Sequence, residues 1–288
     1  MPVRQEIWRT AAAIIATMAV WGAIRLVLPS LDYYPPEGLA QSLQRSWFVV
    51  SGTHKAAQLV YALATLILMA VFFAMVQRRW PGRSGWNGLT FGVLLGLLWA
   101  FCFLNSATLF GTTAGEALLN GALDLAALAL GGWLIGLALG RDHPEPARAS
   151  RKPWLAILLI ACGFASAYSI GALLLQGSLG QAAALFARPV TAPQYATLFM
   201  VGLWAGLMYV SLRPGLPFGP ASAKAAFFAF GVFGHSWTLF KLYSVIEFSG
   251  VLLTVILIGL MGALGVFVGA LAYEWATDAR FLGRYSFE

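Results

Sequence analysis

The sequence predicts an all-α fold: a polytopic membrane protein with eight transmembrane helices in two parallel four-helix repeats, both termini cytoplasmic. Three observations predict it. Of the 288 residues, 60% are hydrophobic and only 10% charged, whereas a soluble domain carries about 25% charged residues; the mean hydropathy is +0.78. The apolar residues gather into runs close to the roughly 20 that cross a bilayer as a helix. Lysine and arginine are concentrated in alternate gaps between those runs, as membrane topology requires.

The eight runs lie at 8–29, 55–77, 87–109, 117–139, 154–175, 194–212, 223–246 and 251–274. The sixth is the shortest, and the last two are so close that they form a tight hairpin. With the N-terminus inside, three of the 18 Lys and Arg fall in outer gaps (Arg45, Lys55, Arg188), two fall within runs (Arg25, Lys241), and the other thirteen lie on the inner side. That asymmetry orients the chain, and the expected location is a bacterial cytoplasmic (inner) membrane, crossed many times. The net charge of +7 is accounted for by topology, so nucleic acid is excluded as a partner and the lipid bilayer is the implied one. The first run has a basic start but no small-residue cleavage site, so it reads as a retained helix and not a signal peptide. Cys102 and Cys162 differ in depth by roughly 9 Å at 1.5 Å per residue, too far for a disulfide, and free thiols are expected.

The charged, proline-containing stretch GRDHPEPARASRKP at 140–153 divides the chain. Residues 1–140 form the first four-helix repeat, 141–153 a cytoplasmic linker, and 154–288 the second repeat. LGLLWAFCFLNS (95–106) lies on FGHSWTLFKLYS (233–244), and GWLIGLAL (132–139) on GVFVGALA (265–272). A long outer loop follows the first helix of each half, with LAQ at 39–41 and LGQ at 179–181. An even number of helices per half makes the repeats parallel, about an axis along the membrane normal. Leu39, Leu43, Trp47 and Val50 fall on one helical stripe, so an interfacial helix is expected near 37–50. Gly92/Gly96, Gly132/Gly136, Gly202/Gly206 and Gly265/Gly269 are small pairs that let helices approach closely.

The polar residues inside the runs carry the functional question. Lys241 lies about 9 Å below the outer boundary, Arg25 roughly 6–9 Å and Asp124 about 12 Å. Three ionisable groups on three helices therefore share one layer, and charges inside a bilayer face the bundle interior and pair. One reading is an outward-facing polar pocket for a small anionic or carboxylate-bearing solute, with Asp124, Lys241, Arg25, His235, Asn105 and Trp237 as candidate ligand-binding residues. The plainer reading is that Arg25 and Lys241 snorkel outward, Arg25 stacks on Trp21, and Asp124 fixes helix packing. Trp237, Lys241 and Ser244 lie on one stripe of the seventh run, His235, Thr238 and Leu242 on another.

No cofactor is expected. His235 is near the midplane, His54 at the outer surface and His143 in the linker, so no two histidines share a depth for a bis-histidine haem, and no metal-ligand cluster converges. No enzyme is expected either: G-x-S-x-G, H-E-x-x-H and phosphate-loop patterns are absent. The neighbouring His235 and Ser236 point about 100° apart on a helix and form no base–nucleophile pair.

Four helices with an outer loop after the first, and GLTFGVLLGLLWA (88–100) opening the third, resemble the layout of uncharacterised bacterial four-helix integral membrane protein families, here in tandem duplicate. The resemblance implies the helical fold and no chemistry. Two functional classes are carried forward. A small-solute transporter or permease should have a polar, water-accessible seam between the halves. A non-catalytic binding or assembly subunit of a membrane complex, or of a homo-oligomer, should have a solid core there.

Overall fold

The computed structural model describes residues 2–27, 43–110, 112–143, 152–175 and 191–277, and their side chains except those of 2–6, 25–27, 109, 110 and 175. The helices are α1 (Pro2–Val27), α2 (Trp47–Val50), α3 (His54–Gln77), α4 (Ser84–Phe110), α5 (Ala114–Leu139), α6 (Pro153–Leu175), α7 (Ala192–Leu212), α8 (Ala221–Ala226), α9 (Gly234–Glu247) and α10 (Leu252–Thr277). A single 3-10 turn, Arg213–Gly215, follows α7, and a π-helical stretch, Phe227–Phe233, joins α8 to α9. Among the described residues there is no strand, only isolated bridges between Arg45 and Phe248 and between Gly82 and His143.

Among the described residues seven helices, α1, α3 to α7 and α10, are long and apolar enough to cross a membrane. They are apolar on the outside as well as inside: α3 exposes Val60, Ile67 and Val71, and α10 exposes Leu253, Leu260 and Val268. A helix hydrophobic all round needs an apolar surround, and the chain is an integral membrane protein on this ground.

The seventh run is helical throughout, from Ala221 to Glu247, but its turns widen at Phe227–Phe233. It traverses the bundle end to end. At one end, Gly215 packs against Val76 and Trp80 at the close of α3. At the other, just before α3 begins, the Ser46 amide donates to the Glu247 carbonyl at 3.0 Å, the Ser46 hydroxyl donates to the Ile246 carbonyl, and Arg45 lies 3.9 Å from the Glu247 carboxylate.

These contacts also shorten the expected interfacial helix. Residues 28–42 lie outside the described part. Leu43 to Ser46 run non-helically because Arg45 bridges to Phe248; helix begins only at Trp47, with Ser46 as its N-cap. Trp47 and Val50 are exposed and Leu43 is buried, so the three do not share one face.

Glycine sets the tightest packing. A Cβ on Gly92 would lie 2.1 Å from the Leu128 carbonyl oxygen, and one on Gly132 would lie 2.3 Å from the Gly88 oxygen. The α4 and α5 backbones therefore touch, which recruits dispersion along the whole contact. Gly202 and Gly206 of α7 meet Ala161 and Ile157 of α6, and Gly265 and Gly269 of α10 meet the other side of α6.

Several features recur at one spacing along the chain. His54 and Ala192, which open α3 and α7, are 138 residues apart, as are Ala114 and Leu252, which open α5 and α10. Gly121 packs on Ala100 and Gly259 on Thr238; both members of the second pair again follow the first by 138. Across the seam between the halves, α4 packs on α7 and on α9, and α3 packs on α9.

Candidate functional site

The seam is tied by hydrogen bonds and filled by rings. Trp99 of α4 donates its indole N–H to the Ser236 hydroxyl at 3.0 Å and lies 3.3 Å from the Ser236 carbonyl. Tyr61 of α3 donates to the Leu239 carbonyl at 2.9 Å, Gln58 to the Tyr243 hydroxyl at 2.7 Å, and Trp204 of α7 to the Leu94 carbonyl at 2.8 Å. Phe240 meets Trp99 and Phe103 edge-on, with centroids 5.8 and 4.9 Å away.

Lys241 is placed in this packed seam by α9. Its stripe, Trp237, Lys241 and Ser244, is turned inward and buried, and the lysine is only 4% exposed. Its Nζ lies 3.5 Å from Asn105 Oδ1 and 4.7 Å from the centre of the Trp237 ring. The Phe240 ring is 5.9 Å away. No ion pair joins Lys241 to a carboxylate of the described residues, Asp124 included. What faces the ammonium is an amide oxygen and aromatic π-density, which attract a cation but do not neutralise it.

Asn105 is oriented from behind. Its Nδ2 donates to Thr197 Oγ1 at 3.0 Å, and Thr197 donates its own proton to the Gln194 carbonyl at 2.9 Å. The threonine oxygen is therefore the acceptor, and the Asn105 amide oxygen is left pointing at Lys241. α7 thus contributes to the site through Thr197 and Gln194, α4 through Asn105, and α9 through the lysine.

Three of the six sequence-selected residues, Lys241, Asn105 and Trp237, come together here. The others do not join them. Asp124 accepts from the Trp21 indole at 3.1 Å, in a pocket with room for about one water molecule that Thr17, Thr65 and Trp99 also line. His235 faces the other side of α9: its Nδ1 meets the Gly231 carbonyl of the π stretch, and its ring stacks on Phe72 of α3 at 4.3 Å. The Arg25 side chain lies outside the described part. Among the described residues no group of three His, Cys, Asp or Glu converges to hold a metal ion. Cys102 is a buried free thiol and Cys162 an exposed one.

Sequence reasoning passed over Thr197 and Gln194, because one hydroxyl and one amide on the shortest run carry no signal without the fold. It also passed over an ion pair at the other end of the bundle. Arg213 donates to Glu274 through Nε at 2.5 Å and Nη2 at 3.1 Å, and Tyr209 adds a third hydrogen bond to the same carboxylate at 2.5 Å.

No protein-family model matches the chain, and neither a curated protein nor a solved structure does.

Proposed function

We propose that this integral membrane protein is a permease for a small anionic solute, built from two parallel four-helix repeats, and that the solute is recognised at Lys241. The observation that carries the reading is a buried lysine, between helices of both halves, held by an amide oxygen and an indole face in place of a carboxylate. A buried charge costs several kcal/mol unless compensated, and an anion entering from the outer face would supply that compensation. The ring-filled seam departs from the water-accessible seam expected of a transporter, so the reading rests on Lys241 and treats the structure as a closed state of the carrier.

The shared register supports the repeat. A spacing of 138 residues holds for the starts of two helix pairs and for the Gly121–Ala100 and Gly259–Thr238 contacts. It also relates 95–106 to 233–244. The match of 132–139 on 265–272 is five residues out of that register, so 132–139 corresponds instead to 270–277. An axis exchanging the halves converts the α4–α7 contact into the α9–α3 contact, and both are present. The run 221–247 is then the eighth span, and the location remains the bacterial inner membrane with both termini cytoplasmic.

The test is uptake of labelled small anions into liposomes carrying the purified protein. Wild type should accumulate at least one class, and Lys241→Met, which keeps the stem and removes the charge, should abolish uptake while the protein stays folded. Uptake unchanged in Lys241→Met would remove the lysine from the reading. A second reading, the non-catalytic subunit of a membrane complex, is favoured by the filled seam around Trp99, Phe103 and Phe240. It predicts no uptake of any anion and co-purification with a membrane partner under mild detergent.

A further inference from the structure

We infer that the solute is a monocarboxylate with an apolar body, and that Tyr168 Oη and Trp237 Nε1 bind its carboxylate beside Lys241. The inference rests on the reading of Lys241 as an anion site and names what that site takes. Tyr168 on α6 is 2% exposed and Trp237 on α9 is 0% exposed, yet among the described residues neither the phenol oxygen nor the indole nitrogen has a hydrogen-bond partner. Buried polar groups are almost always paired, and each exception calls for an explanation. Here two exceptions are adjacent: the Tyr168 and Trp237 rings meet edge-on with centroids 6.1 Å apart. Two unpaired donors thus sit on rings in contact, the indole N–H facing Gly262 of α10, and the Lys241 ammonium lies over the face of the same indole.

The corresponding tryptophan of the first half makes the contrast. Trp99 precedes Trp237 by 138 residues and spends its N–H on Ser236 across the seam. The residue that stands opposite Ser236 in the repeat is Leu98, which offers no hydroxyl. One tryptophan is tied and the other is left with a donor to give. The second half also carries Lys241 where the first has Phe103, so both differences fall on the same stripe of α9.

Ligand class follows from charge and surroundings. A single cation balances one negative charge. A dianion would bring a second charge into a cluster whose other donors are neutral, and its desolvation would go uncompensated. Neutral O–H and N–H donors to a carboxylate make short, strong, charge-assisted bonds. The rings beside them are apolar: Phe164 and Phe233 flank Trp237 with centroids 5.1 and 6.2 Å away, and Phe240 adjoins the lysine. They suit an alkyl or aryl body and give nothing to a second polar end.

The experiment is a titration of the full chain, purified in detergent, with butyrate, benzoate, succinate and inorganic phosphate, followed by tryptophan fluorescence and thermal shift. Butyrate and benzoate should bind at least tenfold more tightly than succinate or phosphate. Tyr168→Phe removes only the hydroxyl; it should weaken butyrate about tenfold while the melting temperature of the ligand-free protein holds or rises, because an orphaned donor has gone. Trp237→Phe should weaken butyrate comparably. Butyrate affinity unchanged in both variants, but lost in Lys241→Met, would overturn the role of the two donors and leave the anion site standing. Succinate or phosphate binding as tightly as butyrate would overturn the monocarboxylate class alone. Binding of none of the four probes to wild type would sink this inference and the anion-site reading beneath it together.

Discussion

Burial sorts the ionisable side chains of this protein by what they meet. Lys241 meets an amide oxygen and rings, Asp124 an indole N–H, and Arg213 a carboxylate that it grips with two parallel bonds. The last is the geometry in which a buried pair is strongest. Glu274 has every oxygen engaged, with Tyr209 bonded to Oε1 as well, and the Tyr273 ring lies 5.7 Å beneath the Arg213 guanidinium. Breaking one side of such a pair costs more than replacing both. Glu274→Gln should therefore destabilise the protein by about 3 kcal/mol, the low end of the range for buried pairs, because the Arg213 side chain keeps 28% of its surface exposed. The double variant Arg213→Met, Glu274→Gln should recover part of the loss. A denaturation cycle in detergent measures both, and a single-variant loss below about 1 kcal/mol would reduce the pair to a surface ion pair. In the sequence, Arg213 and Glu274 were visible only as a topology marker and a residue at a helix end. Sixty-one residues separate them, and no local pattern announces a contact of that range. Lys241 was legible because depth along one run needs no fold. Its partner was not: Lys241 and Asp124 match in depth, but they face different clusters.

Among the elements, the helices were legible and their irregularities were not. Composition and length place the long helices because a bilayer leaves the backbone no other way to satisfy its hydrogen bonds. The π stretch at Phe227–Phe233 carries no breaker except Gly231 and reads as ordinary apolar helix. The expected interfacial helix failed at 43–46 because its stripe is also compatible with a chain whose polar groups are taken by α9. The glycine pairs were legible as packing signals, and the fold adds which neighbour each one meets. That allows a matched pair of substitutions. Gly92 of α4 would push its Cβ to 2.1 Å from a backbone oxygen of α5, whereas Gly22 of α1 has no heavy atom within 4 Å of that position. Gly92→Ala should cost about 3 kcal/mol, the upper part of the usual overpacking range, because backbone cannot rotate aside. Gly22→Ala should cost nothing and gain up to about 1 kcal/mol from helix propensity. Melting temperatures of the two variants in the same detergent compare them directly; equal temperatures would show that α4 and α5 can part cheaply.

At the scale of the whole molecule, the decisive element is the chain from Ala221 to Glu247. Among the described residues seven helices meet the length and composition of a membrane span without it, and an odd number of spans would put the two termini on opposite sides. Its helix is interrupted by the π stretch and holds His235 and Lys241, so its own hydropathy does not mark it as a span. The contacts at its ends argue for a crossing: Glu247 is bonded to the segment before α3, and the turn after α7 packs on the end of α3. A helix joining those two places runs alongside α3 from end to end, and this is the ground on which the eighth span is proposed. In the proposed orientation the Gly215 end, with its excess of Lys and Arg, is the cytoplasmic one. Cysteines introduced one at a time at Ser51, Ser84, Ser222, Ser249 and Ala276, in a background with Cys102→Ala and Cys162→Ala, test count and orientation together. Ser51 and Ser249 should react with an impermeant thiol reagent on intact cells, while Ser84, Ser222 and Ala276 should react only after permeabilisation. Ser222 and Ser249 reacting from the same side would deny the crossing, and with it the four-plus-four repeat on which the placement of Lys241 between two halves depends. A full reversal of the pattern would keep the eight spans and overturn the orientation, turning the Lys241 site to face the cytoplasm.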